Sequence, residues 1–171
     1  EIELFNSVFL DGDWCWDASP FQVTDETKCV VMDNITHVLN NFIRCSAYEN
    51  IIFCWVMHEH SIIDSILEKL DLSDCHVRCI SLIAGEKVVR ERIASDIAKG
   101  IRTPDAMERS LARLPLYQKL NTIKIDTTGK SVLEICGENG HYNSTGGDCL
   151  FPQNLLLCSQ EVEHMDQVKT G

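Results

Sequence analysis

No apolar run in this 171-residue sequence approaches the length of a membrane span, and we expect no signal peptide. A basic stripe is also lacking, since 15 Lys and Arg face 26 Asp and Glu and leave a net charge of -11. Binding to nucleic acid or to an anionic membrane needs such a stripe. We therefore expect a cytoplasmic protein with neither nucleic acid nor a membrane as partner.

The cysteines lack metal-ligand spacing. There are nine of them, an odd number, and none forms a C-x-x-C pair. A structural zinc site is built from such pairs, so none is expected. Several cysteines lie inside apolar runs, where thiols act as small hydrophobes in a reducing cytosol. The first residue is Glu1 rather than Met, and we expect a fragment or a processed product.

Short apolar runs alternate with helical patterns along the chain. The runs predict strands at 4–10, 51–57, 77–83 and 122–125, and the 3.6-residue periodicity predicts helices at 24–45, 61–70, 86–99 and from 103 onward. Residues 130–136 are a last helix or strand. This alternation predicts one α/β domain over residues 1–136 with a parallel sheet. Residues 137–171 begin with a Gly- and Asn-rich stretch and are expected to form a flexible or loosely docked tail.

The first predicted strand ends in Asp11-Gly12-Asp13. Alternate residues of a strand share a face, so both carboxylates are expected to project the same way from the carboxyl end, where open α/β sheets bind ligands. Two adjacent carboxylates repel unless a metal or the positive edge of a substrate lies between them. Trp14 and Trp16 follow as the wall of a small-molecule pocket. The alternative is an Asp-Gly turn with solvated acids.

The segment Phe9-Leu10-Asp11-Gly12-Asp13 resembles the F-x-D-x-D segment that ends the second strand of shikimate-kinase-like P-loop phosphotransferases. That group includes gluconate kinase, chloramphenicol phosphotransferases and nucleotide-kinase-like ATPases, and its order of elements fits residues 4–136 from the second strand onward. The resemblance implies a three-layer α/β/α parallel sheet of P-loop kinase type, with a lid at about 86–115. It also implies ATP-dependent transfer of phosphate to a hydroxyl of a small-molecule acceptor, with ATP and Mg²⁺ as cofactors.

The resemblance assigns roles to individual residues. Asp13 would orient or deprotonate the acceptor hydroxyl, Asp11 would support Mg²⁺ through its water shell, and Glu59 is a reserve general base. The expected acceptor-binding residues, including the arginines of a phosphate clamp, are Trp14, Trp16, His58, Arg102, Arg109 and Arg113. The expected nucleotide-side residues are Arg90, Asp126, Thr127 and Thr128.

Each role has a structural alternative. For each arginine, the alternative is pairing with a nearby acid on a solvated helix face. We still expect at least one of the arginines to clamp phosphate. For His58-Glu59-His60, the alternative is a helix cap or a loop. The segment is not a zinc-protease motif, because that motif is H-E-x-x-H on a helix. A metal hydrolase that uses His58, His60 and Asp13 is a remote third possibility.

The sequence departs from the family at the phosphate-binding loop. The motif G-x-x-x-x-G-K-[ST] precedes the F-x-D-x-D segment in the family, but only ten residues, without glycine or lysine, precede Asp11. Gly129-Lys130-Ser131 is no replacement, because position 124, where the first glycine belongs, is Lys124. By this resemblance we expect the first βα unit to be absent from this chain and its kinase activity to be little or none.

The rival expectation is a non-catalytic binding or scaffold domain derived from a P-loop kinase. The missing first strand is central in that family, so its loss would open the middle of the sheet and expose unpaired strand edges. A homodimer or a partner that fills the gap is then expected.

Overall fold

The computed structural model describes residues 5–139 and 153–160. Its strands are β1 (Ser7–Asp11), β2 (Asn50–Trp55), β3 (Cys75–Ile83), β4 (Ile123–Asp126) and β5 (Gln153–Gln160). Its helices are α1 (Asp25–Ile43), α2 (His60–Leu67), α3 (Glu86–Ala98), α4 (Ala106–Lys119) and α5 (Val132–Asn139). One turn of 3₁₀-helix, Gly12–Trp16, follows β1.

Helix α1 shows how local sequence sets an element. Thr24 caps it through a capping box with Thr27, and acids in the first turn complement the helix dipole. Val31, Ile35 and Leu39 recur at helical spacing and are buried. The predicted start at Thr24 is confirmed, and the helix ends two residues earlier than predicted.

The five strands form one all-parallel sheet in the order β1-β2-β5-β3-β4. The predicted α/β class with a parallel sheet is confirmed, and the architecture is compatible with three layers. Across the middle of the sheet, Cys54 of β2 lies beside Cys158 of β5, which in turn lies beside Ile80 of β3.

Strand β5 corrects the prediction of a loosely docked tail over 137–171. Residues 153–160 form the central strand, with Leu155 and Leu157 1% exposed. The buried Gln153 side chain donates to the carbonyls of Cys45 and Tyr48, which ties the start of β5 to the turn before β2. Residues 137–139 belong to α5, and the rest of the predicted tail lies outside the described residues. In the described sheet, β5 therefore occupies the central position.

The core lies against one face of the sheet. Side chains of α1 and α2, together with Tyr117 of α4, pack onto Ile51, Phe53 and Leu157. Helices α3 and α4 form a second, smaller cluster around Val89, Ile93 and Ala106, and they occupy most of the segment predicted as a lid. No helix among the described residues is both long and apolar enough to span a bilayer.

Candidate functional site

Asp11 ends β1 and holds the turn that follows it. Its Oδ1 accepts a hydrogen bond of 3.0 Å from the backbone N–H of Asp13, so Asp11 caps the 3₁₀ turn. Asp11 is buried, with 6% of the residue exposed, so of the alternative, an Asp-Gly turn with solvated acids, the turn is present and the solvation of Asp11 is not. The expectation that both acids extend from one strand is wrong for Asp13, because the strand ends at Asp11 and Asp13 lies in the turn.

Trp55 fixes the carboxylate of Asp13. The indole nitrogen donates a hydrogen bond of 3.0 Å to Asp13 Oδ1, joining the carboxyl ends of β1 and β2. Gly12 makes this approach possible, because a Cβ atom at that position would lie 2.5 Å from Trp55 Cγ. Because the indole is fixed, its hydrogen bond to one oxygen of the Asp13 carboxylate also sets the direction of the other carboxylate oxygen.

Both acids line a large cleft at the carboxyl ends of β1 and β2. Its volume is about 1670 Å³, larger than a typical small-molecule pocket. The first turns of α1 and α2, the loop after Trp16 and part of α4 complete it. Of the residues expected to bind the acceptor or to do chemistry, the cleft brings together Asp11, Asp13, Trp14, Trp16, His58, Arg109 and Arg113.

Aromatic rings form much of the cleft wall. Trp14 and Phe9 meet edge to face, with ring centroids 5.6 Å apart, and are 65% and 46% exposed. Trp16 contacts Phe21 and Trp55 at centroid distances of 5.5 and 6.4 Å. All three tryptophans of the chain line the cleft. The Trp16 indole N–H is buried and meets no acceptor among residues 5–139 and 153–160.

The acids and bases of the cleft lining are equal in number, and most of the bases are paired. Four acids and four bases line it: Asp11, Asp13, Asp17, Asp33, Lys28, Lys69, Arg109 and Arg113. Lys69 pairs with Asp33 at 2.8 Å inside the lining, whereas Lys28 and Arg109 pair with Asp25 and Asp105, at 3.3 and 3.4 Å, just outside it. Three of the four bases in the lining are therefore paired with an acid.

Two thiols lie beside the carboxylates. A hydrogen bond between Cys54 and Cys158 raises the pKa of Cys54 and lowers that of Cys158. Burial and the charges of Asp11 and Asp13 raise the pKa of Cys54 further, and burial and Asp11 raise the pKa of Cys15. Cys15 and Cys54 therefore stay protonated at neutral pH, which makes them poor nucleophiles.

Six of the predicted site residues lie outside the cleft, and Glu59, Arg90 and Arg102 are three of them. Arg102 is buried, its side chain 5% exposed, and its Nε donates to Asp96 at 3.1 Å. Arg90 pairs with Glu86 one helical turn away. Glu59 occupies the N-cap position of α2 and accepts from Ser61 Oγ, while His60 accepts from the backbone N–H of Asn121. For Arg90 and Arg102 the structural alternative of pairing describes the observed contacts.

The predicted nucleotide-side residues after β4 hold two loops together. Thr127 is buried and bonded to Arg92 and to the carbonyl of Ile83, and Thr128 Oγ1 accepts from the backbone N–H of Gly85. Asp126 accepts from the backbone N–H of Thr128, and this bond together with one from the Thr128 hydroxyl lowers the pKa of Asp126. Their polar atoms link the ends of β3 and β4.

Sequence reasoning missed several cleft residues. Lys28 and Cys29 of α1, Phe21 in the loop before it and Lys69 after α2 line the cleft without having been expected there. The only sequence feature that could have indicated the α1 residues is their position, because the start of α1 follows the Asp11 turn closely in the sequence. Among the described residues, no three His, Cys, Asp or Glu side chains come together as metal ligands.

Comparisons with known proteins identify no relative. No family model, no curated protein and no solved structure matches this chain.

Proposed function

We propose that the cleft is the acceptor site of a small-molecule phosphotransferase. The observation that carries the proposal is the Asp13 carboxylate, fixed by Trp55 at 3.0 Å inside a cleft that Arg109 and Arg113 also line. A fixed carboxylate accepts a hydrogen bond from a substrate hydroxyl, orients it and removes its proton as it attacks. The resemblance to P-loop kinases through Phe9, Asp11 and Asp13 supports the same role.

Asp11 acts through Asp13 in this proposal. Its Oδ1 bonds the backbone of Asp13, so it positions the turn that carries the acceptor-binding carboxylate. Mg²⁺ is commonly held by one or two carboxylates together with substrate phosphates. Asp11 and Asp13 suit that pattern only when phosphates supply the remaining oxygens.

The described residues do not fit the phosphates of ATP. P-loop proteins cradle phosphates in a glycine-rich loop after the central strand. Here the central strand is β5, and the sequence after Gln160 continues with Glu161-Val162-Glu163, two acids and no glycine. Thr127 and Thr128 are bonded internally. The proposal therefore includes acceptor binding and no ATP turnover by this chain alone.

The second candidate is a non-catalytic binding domain derived from such a kinase. The specific observation in its favour is β5 itself, because it fills the centre of the sheet and bonds strands on both sides. In this candidate, the affinity of the cleft for its ligand does not depend on a ligand hydroxyl bound to Asp13.

Two measurements test the proposal. Titration calorimetry with Mg-ATP is expected to show no binding, and tight binding or ordinary ATP turnover would overturn the assignment of the donor side. Tryptophan fluorescence is then followed against sugar acids, nucleosides and amino alcohols, because every tryptophan lies in the cleft.

A deoxy control separates the two candidates. For the ligand that binds, its deoxy analogue is expected to bind about tenfold more weakly to the wild type, since a hydrogen bond to a charged group is lost. The two analogues are expected to bind the Asp13→Asn variant with similar affinity. A deoxy analogue that binds the wild type equally well favours the binding domain.

A further inference from the structure

We propose that the molecule bound in this cleft carries an organic ammonium group, held by the Asp13 end of the cleft and its aromatic wall. This inference rests on the proposed acceptor site and names the chemical class of its ligand. Together with the hydroxyl that Asp13 would orient, it makes the acceptor an amino alcohol.

The aromatic wall is the first argument. Trp14 and Phe9 line a concave site and are 65% and 46% exposed, although large aromatic rings are normally buried. Exposed ring faces carry negative electrostatic potential and attract ammonium ions, and quaternary ammonium ligands are commonly recognised by several such rings. The Trp16 and Phe21 pair extends the same wall.

The charge of the cleft is the second argument. Four acids and four bases line the cleft, and three of the bases are already paired with acids, Lys69 with Asp33, Lys28 with Asp25 and Arg109 with Asp105. Asp11 and Asp13 also belong to a chain of net charge -11, whose overall field favours cationic ligands. An anionic acceptor would have to overcome both effects.

The kind of cation follows from the donor set. A bare metal ion prefers three or more oxygen, nitrogen or sulfur ligands, and the described part of the chain brings no such group together. Aromatic rings next to a few carboxylates suit an alkylated ammonium better, because its carbon shell packs on the rings while its charge faces the acids. The cleft volume of about 1670 Å³ leaves room for a larger body attached to the ammonium.

The test compares two small probes of the same shape. Choline carries a trimethylammonium group, and 3,3-dimethylbutan-1-ol replaces its charged nitrogen by carbon. Both are titrated into the full chain at low salt while the fluorescence of the three cleft tryptophans is recorded. Choline is expected to bind about tenfold more tightly than the neutral alcohol, and sodium chloride is expected to reduce the difference.

Variants locate the effect in the cleft. Trp14→Ala removes an exposed ring and is expected to weaken choline binding about threefold or more, with little change for the neutral alcohol. Asp13→Asn is expected to reduce the preference for the cation. Phe5→Ala is the matched control, because Phe5 is 75% exposed and lies outside the cleft lining. Circular dichroism verifies that each variant folds, and Trp14→Ala provides the test should Asp13→Asn fail to fold.

Each result is decisive. Preference for choline that is lost in Trp14→Ala and kept in Phe5→Ala supports the inference. Equal binding of choline and the neutral alcohol overturns the inference of an ammonium ligand. Binding of a sugar acid such as gluconate without binding of choline overturns it too. Neither result contradicts the proposed acceptor site. If neither these probes nor the sugar acids and nucleosides change the fluorescence, the acceptor site is refuted as well.

Discussion

Trp55 and Asp13 lie 42 residues apart in the sequence and meet in a hydrogen bond of 3.0 Å from the indole nitrogen to Oδ1. Between them Gly12 packs against the face of the indole, at a distance that leaves no room for a side chain. The carboxylate, the indole and the glycine form one unit, which we call the Asp13 unit, and disturbing any member moves the others.

The Gly12→Ala variant tests this packing. The added methyl group would lie 2.5 Å from Trp55 Cγ, so the indole must shift and its bond to Asp13 must lengthen. We expect a loss of about 1 to 3 kcal/mol in the free energy of unfolding, typical of overpacking. Urea unfolding followed by circular dichroism measures the loss, and the tryptophan emission spectrum reports the movement of the ring.

Gly85→Ala is the matched control. A Cβ atom there would lie 3.6 Å from Thr128 Oγ1, an ordinary contact, and the backbone φ of -64° suits any residue. Gly85 is the N-cap of α3, where Ala is less favourable than Gly, but Ala also restricts the unfolded chain, so we expect a loss below about 1 kcal/mol in the free energy of unfolding. Equal stability of the two variants would contradict the packing of Gly12 against Trp55.

Arg102 distinguishes a structural arginine from a ligand-binding one. Its buried guanidinium pairs with Asp96 at 3.1 Å, and Arg102→Ala leaves that carboxylate without its partner. We expect a loss of about 3 kcal/mol in the free energy of unfolding, with cleft binding unchanged. Arg90→Ala breaks an exposed pair with Glu86 and is expected to cost less than about 0.5 kcal/mol.

The ligand titrations of these two variants decide the role of Arg102. A stable Arg102→Ala variant that loses ligand binding would restore Arg102 to the phosphate clamp predicted from the sequence. Thermal or urea unfolding at neutral pH is sufficient for the stability measurement.

Two neighbouring leucines test the central position of β5. Leu157 is 1% exposed in the core, whereas Leu156 points to the opposite face of the sheet and is half-buried. Leu157→Ala is expected to lower the free energy of unfolding by about 2 to 5 kcal/mol through the cavity it leaves, and Leu156→Ala by clearly less. Similar small losses in both variants, measured by urea unfolding, would argue against a buried β5.

The carboxyl group of Asp126 gives a pH dependence. Hydrogen bonds from the Thr128 hydroxyl and backbone N–H lower its pKa below its usual 3.8. Because the folded pKa is below the unfolded one, the group stabilises the fold above the unfolded pKa, and the contribution is lost as the pH falls through the folded pKa. The stability difference between wild type and Asp126→Asn is therefore expected to shrink below pH 3.8.

Thr128→Val isolates the cause. This change removes the hydroxyl and keeps the backbone donor, so the Asp126 pKa is expected to move up toward its usual value. Carboxyl-carbon NMR titration measures it directly. A pKa that is unchanged by the substitution would assign the whole effect to the backbone N–H.

Sequence patterns identified most of the sheet because its strands carry strong local signals. The apolar run of β2 has no alternation, as expected for a buried parallel strand, and Thr24 followed by two acids predicted the start of α1. Strand β5 was missed because its only apolar cluster is Leu155 to Leu157, between polar residues at both ends. Its stability comes from strands on both sides, and this is information that a short window of sequence does not contain.

The site was predictable to a similar degree. A local motif in the sequence predicted four of the cleft residues, Asp11, Asp13, Trp14 and Trp16. Arg109 and Arg113 are distant in the sequence, and the topology of the fold places them in the same cleft. The pairing of Arg102 with Asp96 is the alternative that the sequence had left open for the arginines. The bond between Thr127 and Arg92 depends on packing of α3 that no motif encodes.

The position of β5 also governs how the chain folds. It follows every other described element in the sequence, and it pairs Asn154 with Asn50 across 104 residues. Until it inserts, β2 and β3 each present an open edge, and contacts of such long range form slowly because loop closure must come first. On the ribosome, the interval between the emergence of β3 and that of β5 is thus the period in which these edges are most exposed to aggregation.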